Sequence, residues 1–169
     1  EVYREKVIAS LIREIEARDG HLNTGIFWTQ FFFETLAENG LSNLAYTAMN
    51  KRDYPGFGHW IAQGATTTWE QWDGKNSRNH PMFGGSLTWF YRKLAGLNAD
   101  EEKPGYKHMI IRPVLPDSLS YASYSTRTPF GEASVSWQRD YAGFGLQVVV
   151  PVGSTATIYI PCSHLSEMT

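Results

Sequence analysis

The chain has 169 residues, 42% of them hydrophobic and 14% aromatic, with a formal net charge of −2. That length allows one domain or two small ones, and the near-neutral balance gives no electrostatic case for nucleic acid or an anionic membrane. No apolar run approaches the ~18 residues of a membrane span, and the lone cysteine, Cys162, rules out an internal disulfide.

Residues 1–18 predict an amphipathic helix, with Val7, Ile8, Leu11, Ile12 and Ile15 on one stripe and charges opposite. Asp19-Gly20 ends it, and His21 to Gly25 is a loop. Ile26 to Asn39 predicts a second helix, stopped by Gly40. Its apolar residues, among them Phe27, Trp28, Phe31, Phe32, Phe33 and Leu36, go nearly all round, as in a helix buried within a larger body. Ser42 is placed to cap a third helix reaching Met49.

Tyr54-Pro55-Gly56-Phe57-Gly58 reads as a turn, followed by a short helix from His59 to Gln63 that Gly64 ends. Thr66 to Trp69 has extended propensity and fits a loop lining a pocket. Residues 73–81 are a polar loop, and a helix follows from Ser86 to Leu94 with Leu87, Phe90 and Leu94 inward. Helices joined by short loops make an all-α layer. Helices this apolar, in so short a stretch, cannot all bury their faces against one another, so the layer reads as a slice of a larger α/α assembly.

Asn98 to Gly105, NADEEKPG, reads as a charged linker. Beyond it the period changes to two. Met109–Arg112, Tyr121–Thr126, Ala133–Arg139, Phe144–Val150 and Thr155–Pro161 predict five strands of a small antiparallel β-sandwich. Five strands leave open edges, so the sandwich is expected to be incomplete.

The chemistry concentrates in Gly64 to His80, GATTTWEQWDGKNSRNH. Glu70 and Asp73 lie among Trp69 and Trp72, and a loop closes on Asn79-His80-Pro81. A pyranose has apolar C–H faces that stack on indole and a hydroxyl rim that needs polar partners. A carboxylate among indoles is partly desolvated, a setting typical of catalytic carboxylates. The bland alternatives stand beside this reading. Glu70 reads alternatively as a solvated or salt-bridged residue, His80 as one satisfied by backbone, and Asp73 as a cap on its loop. Trp69 and Trp72 divide between sugar and core in an order the residues leave open. Trp28 and Trp60 read as core first, and Trp137 as sandwich core. The histidines show no metal-ligand spacing, and Cys162 is alone, so no metal is expected.

The run GATTTWEQWDG, then SRNHPMFG and a Trp-Phe-Tyr helix, resembles the bacterial α-L-rhamnosidase family. HLNTGIFWTQFFFETLAENG, YPGFGHWIAQ and HMIIRP are similar to it as well. The resemblance implies the C-terminal portion of an inverting glycoside hydrolase. The fold class is then an α+β multidomain fragment: the last helices of an (α/α)6 barrel at 1–97, a linker at 98–105, and a C-terminal β-sandwich at 106–169.

By the same resemblance, Glu70 matches the general base, and His80 a histidine that hydrogen-bonds sugar hydroxyls in the −1 subsite. Trp69, Trp72 and Asp73 complete the implied substrate-binding set. The partner would be a rhamnose-containing oligosaccharide or glycoside, with no cofactor and no membrane. The general acid would lie upstream in the rest of the barrel, so this chain alone is expected to be inactive. The family habit implies a periplasmic or extracellular location. A non-catalytic carbohydrate-binding or structural module, or an α/α-barrel glycosidase of another sugar preference, are the competing readings.

Overall fold

The computed structural model describes residues 2–161; Cys162 and His164 lie outside them. The chain divides into two compact units, Glu1–Leu87 and Thr88–Thr169.

The first unit is helical. Helix α1 spans Val2–Glu16. Of its expected stripe, Ile15 is buried, Ile8, Leu11 and Ile12 are half-buried, and Val7 is 64% exposed. Helix α2 spans Thr29–Glu38, starting three residues later than its apolar run. It stops as glycine stops a helix: Leu41 N–H reaches back to Leu36 O at 2.8 Å and Gly40 N–H to Ala37 O at 3.3 Å. Phe32, Phe33 and Leu36 are buried, whereas Phe27, Trp28 and Phe31 are exposed. Trp28 is therefore exposed among the described residues.

Helix α3 spans Ser42–Met49 and buries Ala45 and Ala48. Ser42 stands inside the helix rather than at its cap, which is Leu41. Helix α4 spans Phe57–Ala62, so Phe57 and Gly58 join the helix instead of the turn before it. It ends as α2 does, with Ala65 N–H on Trp60 O at 2.9 Å and Gly64 N–H on Ile61 O at 3.0 Å. The loop after it leads to a 3-10 helix, Met82–Leu87, in which Phe83 and Ser86 are buried.

The expected helix Ser86–Leu94 is thus two pieces of different winding. The second is a π-helix, Phe90–Leu94, continued by Ala95 N–H to Phe90 O at 2.8 Å and Gly96 N–H to Tyr91 O at 3.0 Å. The altered winding rotates the faces. Leu87 and Phe90, expected inward, are exposed, while Trp89 and Leu94 are buried.

The second unit is a pair of three-stranded sheets. Strands β1 (Leu97–Ala99), β2 (His108–Ile111) and β6 (Thr155–Ile158) form one, in the order β1-β2-β6. Strands β3 (Tyr121–Thr128), β4 (Gly131–Asp140) and β5 (Gly143–Val149) form the other, in sequence order. Two features differ from the sequence reading. Residues 98 and 99, assigned to a linker, belong to β1, which pairs with β2 from Leu97↔Ile111 to Ala99↔Met109. The pairing of β2 with β6 is parallel, not antiparallel. Ala95, Leu97, Met109, Ile111, Ala133 and Val135 form one buried cluster fed by both sheets. The Trp137 side chain is buried as expected, and its indole N–H donates to Leu94 O at 2.7 Å.

Candidate active site

The first unit's aromatic core builds the site from below. Trp60, Trp69 and Phe83 are buried, with Phe57 and Trp72 half-buried against them. The Trp60 indole donates to the backbone oxygen of Trp72 at 2.9 Å, and the Trp72 indole donates to Thr24 O at 2.9 Å. Ring centroids of Trp60 and Trp72 lie 4.5 Å apart, and those of Trp72 and Phe83 4.4 Å. The indole N–H groups of Trp60 and Trp72 are both satisfied and the rings pack on one another, which holds this cluster in one arrangement.

From Thr67 to His80 the chain folds back on itself. Glu70 N–H donates to Ser77 O at 2.8 Å, and Ser77 N–H donates to the Glu70 carboxylate, Oε2, at 3.1 Å. Two residues further out, His80 N–H donates to Thr68 O at 2.9 Å, and the Thr68 hydroxyl returns a bond to His80 O at 2.5 Å. The Thr67 hydroxyl donates to Arg78 O. These rungs put Glu70 and His80 on the two arms of one clasp. Among the described residues Oε2 carries the only bond to the Glu70 carboxylate, so Oε1 faces no competing donor. His80 Nδ1 accepts the Met82 N–H at 3.4 Å, which places the proton of a neutral ring on Nε2.

The loop that closes the clasp is fastened separately. Asp73 accepts the Lys75 backbone N–H at 3.1 Å through Oδ1 and the Lys75 ammonium at 2.8 Å through Oδ2. The ammonium's hydrogen bond, then the backbone N–H, hold the Asp73 carboxyl below the ordinary aspartate value. Gly74 sits at φ 73°, and a Cβ there would lie 2.8 Å from the Trp69 ring, so both backbone and space require glycine. Arg78 lays its guanidinium 4.6 Å from the Trp69 ring centroid and donates through Nε to Gly74 O at 3.2 Å.

The sequence-predicted site residues separate accordingly. Glu70 and His80 stand on opposite arms of the clasp, Glu70 bonded to Ser77 and His80 to Thr68. Trp69 is 5% exposed, with Gly74 and Arg78 against its ring, so no face of it is open to a sugar. Its reading as a substrate residue is corrected to a supporting one. Trp72 keeps an open edge: with Arg18, His21, Leu22, Asn23, Tyr54 and Pro55 it lines a hollow of about 390 Å³. At that hollow His21 Nε2 pairs with Asp53 Oδ1 at 2.8 Å. Asp73 bonds Lys75 in its own loop, the contact that the loop-cap reading requires.

Ser77 and Arg78 were missed from sequence. Ser77 holds Glu70 through its backbone, which leaves no trace in residue type, while its Oγ accepts the Asn79 N–H at 3.2 Å; Arg78 finds its aromatic partner only after the loop returns. The Asp73-Gly74 pair is the one local signal that a tight return was due.

Among the described residues no group of three or more His, Cys, Asp or Glu is arranged to hold a metal ion, and no helix is long and apolar enough to cross a membrane.

A helical unit with a half-buried carboxylate next in the chain to a buried indole, followed by a two-sheet β unit, has the make-up of a glycoside hydrolase's barrel end with its accessory domain. Residues 1–94 match the bacterial alpha-L-rhamnosidase 6 hairpin glycosidase domain, and residues 96–169 the bacterial alpha-L-rhamnosidase C-terminal domain. An alpha-L-rhamnosidase of Alteromonas sp. (strain LOR) is 36% identical over 92% of this chain and 18% of the relative. The solved alpha-L-rhamnosidase of Dictyoglumus thermophilum superposes with a TM-score of 0.86 at 36% identity, over 94% of this chain and 18% of that one. The Streptomyces avermitilis enzyme, solved in complex with L-rhamnose, gives a TM-score of 0.84 at 33% identity, over 91% and 16%.

The chain belongs to the bacterial α-L-rhamnosidase family, in its C-terminal portion. It spans under a fifth of the length of each of these relatives.

Proposed function

We propose that this chain is the C-terminal part of an enzyme that hydrolyses terminal α-L-rhamnosyl groups with inversion, and that Glu70 is its general base. The observation that carries this reading is the carboxylate's setting. It is half-buried, follows the buried Trp69 in the chain, and is oriented by the Ser77 N–H on one oxygen, with the other oxygen turned to no protein donor among the described residues.

Inverting hydrolysis needs such an oxygen to take a proton from water as that water attacks the anomeric carbon. A second carboxylic acid protonates the departing glycosidic oxygen from the other side, ~6.5–9.5 Å away. In this reading that acid lies upstream of residue 1, and this chain alone is inactive. His80, with its proton on Nε2, donates to a sugar hydroxyl. Trp72, at the wall of its hollow, offers the apolar edge. The L-rhamnose bound in the Streptomyces avermitilis structure supports the choice of sugar. We also place the parent enzyme in the periplasm or outside the cell, which fractionation of the source cells tests.

The test of the base is Glu70→Gln in the full-length enzyme, assayed on an aryl α-L-rhamnoside. Turnover should fall by about 10²–10⁴-fold, the usual contribution of general base catalysis. Unchanged turnover would return the chain to a binding or bracing role.

A further inference from the structure

We propose that Arg78 is a positioning residue for Glu70: by laying its guanidinium on Trp69 and bonding Gly74 O, it locks the loop whose Ser77 N–H holds the Glu70 carboxylate. The inference rests on Glu70 being the base.

Residues 71–79 form a largely exposed loop, and an exposed loop left to itself samples many conformations. The one hydrogen bond that orients the carboxylate comes from inside that loop, from the residue next to Arg78. Arg78 fastens the loop at three points. Its guanidinium covers the Trp69 ring at 4.6 Å, its Nε bonds Gly74 O at 3.2 Å, and its own carbonyl accepts the Thr67 hydroxyl.

Trp69 immediately precedes Glu70, and Ser77 immediately precedes Arg78. The stack therefore ties the residue before the base to the residue after its donor, and the Glu70–Ser77 rungs lie between. Gly74 completes the device, because its missing side chain lets the loop lie against the same indole that Arg78 covers. Arginine suits the position. Its planar guanidinium stacks on the ring while Nε–H points along a fixed direction, which an ammonium on a flexible stem does not reproduce.

The experiment uses the full-length enzyme with Arg78→Met, Arg78→Gln, Arg78→Lys and Glu70→Ala, assayed on an aryl α-L-rhamnoside with and without azide. Azide needs no deprotonation. It forms a C–N bond at the anomeric carbon as the glycosidic C–O bond breaks, and the departing oxygen takes its proton from the acid. It therefore relieves a defect in the base and not a defect in binding or folding.

Arg78→Met should lose about ten- to hundredfold in kcat, the scale of one hydrogen bond to a charged group, with KM within about twofold. Azide should restore part of the loss in Glu70→Ala, where truncation clears the water's place, and Arg78→Lys should recover only part of the wild-type rate. Arg78→Gln takes the place of Arg78→Met if the latter does not fold. A wild-type kcat in Arg78→Met, or a loss borne by KM, overturns the positioning role and leaves the base standing. Full activity in Glu70→Ala overturns the base, and the positioning role with it.

Discussion

Ser77 and Glu70 hold each other twice: the Glu70 N–H reaches Ser77 O at 2.8 Å, and the Ser77 N–H reaches Glu70 Oε2 at 3.1 Å. The first bond sets the chain's return, and the second turns that return into an orientation for a carboxylate. Because both groups on Ser77 are backbone, its side chain is dispensable for this purpose and its N–H is not.

That asymmetry is measurable in the full-length enzyme. Ser77→Ala should leave kcat within about twofold, whereas Ser77→Pro, which removes the N–H, should lower kcat by about ten- to hundredfold with KM little changed. Equal kcat values for the two variants would separate the Ser77 bond from turnover.

Gly74 should resist substitution on two counts. Gly74→Ala forces an L-residue to φ 73° and sets a methyl 2.8 Å from the Trp69 ring. The left-handed conformation alone costs about 1–2 kcal/mol, and the contact adds to it. The variant should melt lower than the parent and be cut faster by protease within residues 71–79. A melt and digest identical to wild type would mean that the loop does not rest on the indole.

Asp73 distinguishes loop from ligand. Its carboxyl is held below 3.8, first by the Lys75 ammonium's hydrogen bond and then by the Lys75 N–H. A depressed carboxyl contributes stability that is fully present above its unfolded value and is lost as pH falls through the lower folded value. The melting difference between wild type and Asp73→Asn should therefore be constant at neutral pH and close only below about pH 4. KM for the rhamnoside should stay within about twofold in Asp73→Asn. A large rise in KM would restore Asp73 to the substrate.

In the β unit, Trp137→Phe removes the indole N–H that satisfies Leu94 O, at a residue 2% exposed. A buried carbonyl left without its donor costs about 1–3 kcal/mol. Chemical denaturation should register that loss. Activity per folded molecule should not change, because Trp137 lies in the sandwich core.

Phe27, Trp28 and Phe31 are 68%, 69% and 52% exposed. Adjacent apolar side chains in water drive association. The isolated chain should self-associate in sedimentation as its concentration rises, and Trp28→Glu with Phe31→Glu should suppress this. A monomer at every concentration would show that the patch is inert.

Much of this molecule was already present in local pattern. The helices α1 to α3, the glycine stops after α1, α2 and α4, five of the six strands and the burial of Trp137 follow from periodicity and from residues that only certain backbone angles accept. That Glu70 and His80 fall in one short stretch was legible, because the motif that names them is itself continuous in sequence. What local pattern does not carry is the choice among neighbours that compete for the same residue. Trp69 and Trp72 are alike in sequence. Only the returning loop, which sets Gly74 and Arg78 on one indole and leaves the other beside a hollow, decides that Trp69 supports and Trp72 faces out. The parallel pairing of β2 with β6, the inclusion of residues 98 and 99 in β1, and the outward turn of Leu87 and Phe90 are of the same kind. Each depends on hydrogen bonds or packing that form only once distant segments meet, and residue spacing along the chain holds no record of that meeting.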